Sequence, residues 1–314
     1  MLKYILKRVG YTLLALFIIT TVTFFLVRLI PGNPIEAMTE KLPDSIRQQF
    51  FEQYGFDKPL TEQYKLFWEN LLTKGDLGES LKYRGRKVTD TIAQYAPVSG
   101  RLGLQAIAIG VVSGIILGIL SALNRGKLVD YLVMFIAIFG ISIPNFVIAS
   151  LLQYFLSIKL GWFPTTGWGT FSYTVLPSLA LSLNSTAKYA RYMRANCLDV
   201  LNQDYIITAK AKGMGKTHLI FKHVLRNSIL PIITLLGPQI ALMFGGAFVV
   251  EKIFSIPGLG SYFVSSVSDR DYTMIMGQTI FMAALYIFAV LVVDILYGFI
   301  DPRIRLADTK EGGN

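Results

Sequence analysis

The chain has 314 residues, 53% of them hydrophobic and only 16% charged, with a mean hydropathy of +0.51. Soluble domains carry roughly 25% charged residues, so a water-soluble globule is excluded and an integral membrane protein is expected. The formal net charge of +10 does not point to nucleic acid, because the basic residues cluster beside apolar runs rather than on one soluble face.

The N-terminus carries Lys3, Lys7 and Arg8, then an apolar run from Val9 to Ile30. A signal peptide has an apolar core of about 7 to 15 residues, and about 20 residues cross a bilayer, so this run is read as a retained first span. Residues 31–98 are polar with nearly balanced charge. Within them Leu60, Tyr64, Phe67, Trp68, Leu71 and Leu72 form an amphipathic helical stripe, and Gly75 is a plausible helix stop. Asp44 to Tyr54 is expected to be helical too. The two pieces pack on each other or on the membrane face, or they receive a partner.

The second span is expected over Leu102–Leu123, with Gly103, Gly110, Gly114 and Gly118 spaced for close helix packing in lipid. The third, Tyr131–Ile158, is broken by Pro144, with Ser142 and Asn145 beside the break. Polar groups and Pro at mid-span need neighbouring helices or a water-lined cavity. Asn145 is therefore either a pathway residue or an interhelical hydrogen-bonding group. Trp162, Phe163, Trp168, Phe171 and Tyr173 then mark a membrane–water interface. The fourth span, Thr174–Tyr189, holds Pro177, Ser182, Asn184, Ser185 and Thr186, and is polar enough to face protein rather than lipid. The fifth, Ile229–Val250, contains Gly237, Gln239, Gly245 and Gly246, and Gln239 is open to the same two readings as Asn145. A turn-rich IPGLG follows at Ile256–Gly260. The sixth span, Gly277–Ile300, contains Asp294, either a functional carboxylate or half of an ion pair with Arg303.

Between the fourth and fifth spans, Asp204 to Pro231 reads DYIITAKAKGMGKTHLIFKHVLRNSILP. Lys210, Lys212, Lys216, Lys222 and Arg226 are opposed only by Asp204. Two helical patterns meet at Gly213. Such a basic hairpin is either a docking element for a cytoplasmic partner or a segment resting on anionic lipid head groups. Lysine and arginine in the short loops place both chain ends in the cytoplasm with six spans between them. This puts the hairpin inside and residues 31–98 outside.

Catalytic chemistry is not evident. Gly215, Lys216 and Thr217 resemble the tail of a phosphate-binding loop, but Lys210 occupies the required glycine position and no buried strand precedes it. ATP binding by this chain is rejected. Metal ligation is rejected too, since His218 and His223 are five residues apart. The single cysteine, Cys197, excludes a disulfide framework and reads as an inert packed thiol.

Seven segments in order resemble the membrane-spanning subunits of ATP-driven (ABC) importers, specifically the first permease of the oligopeptide, dipeptide and nickel group. They are RLIPGNP (28–34), GDLGES (75–80), TAKAKGM (208–214), HVLRNSILP (223–231), VEKIFSIPGLG (250–260), DYTMIMG (271–277) and DPRIR (301–305). The resemblance implies an all-α, six-span permease fold of the type I importers with an external helical insertion. It divides the chain into 1–30 (first span), 31–98 (insertion), 99–304 (transmembrane core) and 305–314 (cytoplasmic tail).

It also implies that Thr208, Ala209, Lys210, Ala211, Lys212, Gly213, Met214 and Gly215 form the docking loop for an ABC ATPase. Ile207 and Thr208 stand where the general loop pattern has glutamate and alanine. Small Ala209, Ala211 and Gly213 would admit a close partner. The implied partners are a second homologous permease, two ATPase subunits that bind ATP and Mg, an external substrate-binding protein and membrane lipid, in a bacterial-type cytoplasmic membrane. Asn145 and Gln239 are the pathway candidates. The expected cargo is peptide, oligopeptide before dipeptide, with nickel chelates and glutathione as alternatives. A self-sufficient secondary transporter is the competing class.

Overall fold

The computed structural model describes residues 2–29, 48, 51–52, 55, 57–83, 85–229, 232–233, 235–236, 239–240 and 247–300. The expected helix at Asp44–Tyr54 lies largely outside these residues, as do most of the fifth span, the DPRIR segment and the side chain of Asp294.

All the elements named here are helical. They are α1 (Leu2–Leu29), α2 (Leu60–Lys74), α3 (Val88–Leu123), α4 (Leu128–Ser142) and α5 (Asn145–Leu152). A π-helical stretch, Gln153–Lys159, continues α5. Then come α6 (Phe171–Leu201), α7 (Asp204–Ala211) and α8 (Lys216–Leu219), which runs through a π-helical stretch (Ile220–Leu225) into α9 (Arg226–Ser228). The last are α10 (Phe248–Ile253), α11 (Leu259–Ser268) and α12 (Tyr272–Ile300). Among the described residues, three helices are long and apolar enough to cross a membrane: Ile5–Leu29, Val88–Leu123 and Tyr272–Val293. The α4–α5 pair is a fourth candidate, bent by 107°.

The helix of the second span begins at Val88, fourteen residues before the expected Leu102. Hydropathy placed the start after Arg101. The early turns are held instead by tertiary contacts, because Val88 and Ile92 pack with Leu259 and Met274. At 1.5 Å per residue α3 is about 54 Å long, so its first turns stand clear of a hydrocarbon core of about 30 Å.

Helices α3 and α6 are zipped together through the glycine series. A Cβ added at Gly110 would lie 2.8 Å from the Ser185 Cβ, at Gly114 2.5 Å from Tyr189, and at Gly118 2.5 Å from Met193. The spacing of four on both helices keeps one face of each in register. Gly114→Leu is expected to cost about 3 kcal/mol through overpacking, read as loss of intact protein on gel filtration in detergent. Undiminished recovery would contradict this packing.

Helix α6 is polar because protein covers it: Thr174, Ser178, Ser182, Ser185 and Thr186 are all buried. Thr186 hydrogen-bonds Ser113 of α3 at 2.8 Å. Asn184 Nδ2 donates to Gly140 O (3.4 Å) and Ile141 O (3.5 Å) beside the α4–α5 bend. This addresses carbonyls near the point where Pro144 interrupts the helix.

The stripe on α2 packs on α1. Trp68 stacks on Phe17 with ring centroids 5.3 Å apart, and Tyr64 on Phe25 at 5.4 Å. Arg28 Nε donates to Gln63 Oε1 at 2.9 Å, and its guanidinium lies 3.6 Å from the Phe24 ring centre. Leu60 and Leu72 of the same stripe stay exposed.

Candidate functional site: a basic hairpin and an interlocked far end

Helix α7 opens with Asp204 in its first turn, where a carboxylate suits the helix dipole. Ile206 and Ala209, three apart, are buried with Leu219, Val224 and Ile232 against Tyr189, Met193 and Cys197 of α6 and Ala122 of α3. The hairpin therefore rests on the ends of the zipped helices.

Gly213 turns the chain in the left-handed region, φ 75°, where a Cβ is costly. Its N–H donates to Lys210 O at 3.0 Å, and the Met214 N–H donates to Ala209 O at 3.2 Å. Nothing lies within 4 Å of a Cβ built there, so the requirement for glycine comes from the backbone.

The outer face carries exposed Thr208, Lys210, Ala211, Lys212, Gly213, Gly215, Lys216, Lys222 and Arg226, while Met214 is half-buried. Ile207 is 59% exposed and Phe221 67%. Two apolar side chains among five cations make a surface suited to an apolar pocket with an acidic rim. Ala209 is not part of it. Its small side chain is buried and seats α7 on the hairpin's own core. His218 is exposed and His223 half-buried, and no metal-binding cluster occurs among the described residues.

Sequence reasoning missed a charge lock behind the hairpin. Asp130, at the start of α4, is 4% exposed. It accepts from Arg194 Nε and Nη2 on α6, both at 2.7 Å, from Ser121 Oγ on α3 at 2.5 Å, and from the Gly126 N–H at 3.0 Å. The partner lies sixty-four residues away, so only the α4–α6 contact reveals the pair.

At the other end of α3, two separate motifs meet. Asp271 caps α12, accepting from the Met274 N–H at 3.2 Å. It also accepts from the Leu81 N–H at 3.1 Å and from the Ser80 hydroxyl, so GDLGES is bound to DYTMIMG. Gly277 allows Val88 against α12, where an added Cβ would lie 2.4 Å from its Cγ1. Lys82 bonds Asp269 and holds that carboxyl below its usual range.

The pathway candidates lie apart from this end and from the hairpin. Asn145 starts α5 just past the bend and is half-buried. Gln239 Nε2 donates to Ser185 Oγ on α6 at 2.6 Å, an interhelical tie.

A bundle of long apolar helices, one of them broken, with a basic hairpin seated on one end, defines an integral membrane protein of the transporter class. Residues 114–306 match the family described as binding-protein-dependent transport system inner membrane component, and residues 1–98 match the N-terminal model of such membrane components. The chain belongs to this family of inner membrane components, and it is not an enzyme. It is 42% identical to the dipeptide transport system permease protein of Lactococcus lactis subsp. cremoris, over 98% of this chain and 100% of that protein. It is equally 42% identical to the oligopeptide transport system permease protein of Haemophilus influenzae, over 97% of this chain and 100% of that one. A crystal structure of an amino acid ABC transporter shares the fold, with a TM-score of 0.50 and 20% identity over 68% of this chain and 94% of that chain.

Proposed function

We propose that this chain forms half of the translocation pathway of an ATP-driven importer of peptides, oligopeptides before dipeptides. A second, similar permease supplies the other half, and an external binding protein delivers the cargo. Two ABC ATPase subunits bind ATP and Mg and grip the hairpin from inside the cell. Both termini then lie in the cytoplasm, with residues 31–98 outside. Asn145, beside the bend, is a pathway residue. Lipid covers the exposed apolar faces of α1 and α4, which include Leu13, Leu14, Phe17, Phe135 and Ile136.

The observation that carries the reading is the hairpin's outer face, where Ile207 and Phe221 stand in water among five cations. An apolar side chain exposed at such a site is best explained by a partner that covers it. Coupling then requires the docked pair to have two arrangements, with ATP favouring one. Phe221→Ala is expected to lower recovery of the ATPase subunits with the tagged chain by about tenfold, as losing an apolar anchor of about 1.4 kcal/mol would. Equal recovery, or peptide uptake by this chain reconstituted alone, would refute the reading.

A further inference from the structure

Glu251, at the end of α10, is entirely buried. The Ser99 hydroxyl on α3 donates to its Oε1 at 2.6 Å, and the Ser261 N–H on α11 donates to its Oε2 at 2.8 Å. The Gly260 N–H also bonds the carboxyl. Ser99 Oγ in turn accepts from the Leu259 N–H at 2.8 Å. The first three N–H groups of α11 are thus all taken up by one carboxyl and one hydroxyl from other helices.

IPGLG permits this approach. A Cβ at Gly258 would lie 2.4 Å from Glu251 Oε2, and one at Gly260 3.0 Å from it. The groups facing the carboxyl are the Ser99 hydroxyl of α3 and the Gly260 and Ser261 N–H groups of α11, none of them charged. Gly118 packs on Met193 beside the hairpin, nineteen residues along α3 from Ser99. This places the junction at the opposite end of the zipped α3–α6 pair.

We propose that Glu251 and Ser99 form a latch that holds α11 on α3 while the far mouth of the pathway is shut, and lets it go when the mouth opens. The proposal rests on the permease reading above. A rigid α3–α6 pair connects the hairpin to the latch, so a shift at one end biases the other.

The latch is sensitive to protons. Burial raises the Glu251 carboxyl above its ordinary range, against the pull of its hydrogen bonds. The latched form therefore takes up a proton more readily than the released, hydrated form, and acid on the α11 face favours latching. Its geometry accommodates that proton. A protonated carboxyl donates to Ser99 Oγ while Oε2 still accepts from α11, and a glutamine amide does the same.

The test uses the intact complex in proteoliposomes, with ATP on the hairpin side, pH varied on the α11 side and no binding protein. Wild-type basal ATP hydrolysis should fall as that pH falls. Glu251→Gln should stay low at every pH. Glu251→Ala and Ser99→Ala should raise it about tenfold, the shift expected from losing a hydrogen bond to a carboxylate. Wild-type hydrolysis in Glu251→Ala, or a wild-type pH response in Glu251→Gln, would overturn the latch.

A second readout needs no ATPase. Leu259 is only 2% exposed. In a Cys197→Ala background, Leu259→Cys should react with an impermeant maleimide about tenfold faster when Glu251→Ala is added, and unchanged with Glu251→Gln. Equal rates in all three would likewise overturn the proposal. A wild-type complex that shows no hydrolysis would count against hairpin docking, and the labelling rates would still decide the latch.

Discussion

Gly213→Trp leaves the chain inserted and abolishes substrate-stimulated ATP hydrolysis by the assembled complex. At φ 75° an L-residue carries a strain of about 1–2 kcal/mol, and the indole projects from the exposed turn between α7 and α8. Open space around the position means that the fold accommodates the ring, whereas a seated partner does not. Gly213→Asn separates the two effects. Asparagine enters the left-handed region more readily than other side chains and is small, so it should retain most of the stimulation. The measurement is hydrolysis with and without loaded binding protein, alongside membrane recovery of the chain. Normal stimulation by the tryptophan variant would contradict docking at this turn.

Asp130→Asn destabilises the protein by about 2 kcal/mol. Breaking a buried ion pair strands the surviving charge, and the figure sits below the usual range because the Arg194 side chain keeps 26% exposure. The carboxylate also takes the Ser121 hydroxyl and the Gly126 N–H, so one change loosens α3, α4, α6 and the turn between α3 and α4. The expected result is a lower unfolding temperature in detergent, partly recovered by adding Arg194→Met, which removes the stranded charge. An unchanged midpoint in the single variant would show that the pair contributes nothing. The same substitution should blunt coupling, because the lock stands where the hairpin core meets the zipped helices.

Much of the design is local and could be read before any coordinates. Apolar run length located α1, α3 and α12, since every backbone group in lipid must be satisfied within its own helix. The glycine series on α3 announced a close helix contact, and Pro144 a break. Gly213 marked the hairpin turn because few other residues tolerate its backbone angle.

Other features depended on which helices meet. Spacing could not show that Ala209 packs with Tyr189, Met193 and Cys197 of α6. Hydropathy starts the second span after Arg101, while the contacts of Val88 and Ile92 carry its helix back to Val88. GDLGES, IPGLG and DYTMIMG are separate strings in the chain. Asp271 becomes a bridge to Ser80, and Glu251 a latch with Ser99, only when the ends of α3, α11 and α12 come together.

What the sequence determined by itself was the class, the long apolar helices α1, α3 and α12, and the basic hairpin, because composition and periodicity act over one or two helical turns. What the tertiary structure alone decided was the pairing of the buried carboxylates. A charge in a low-dielectric interior survives only beside specific donors. The side-chain donors among them lie nine to one hundred and ninety-one residues away, a distance that local pattern does not encode.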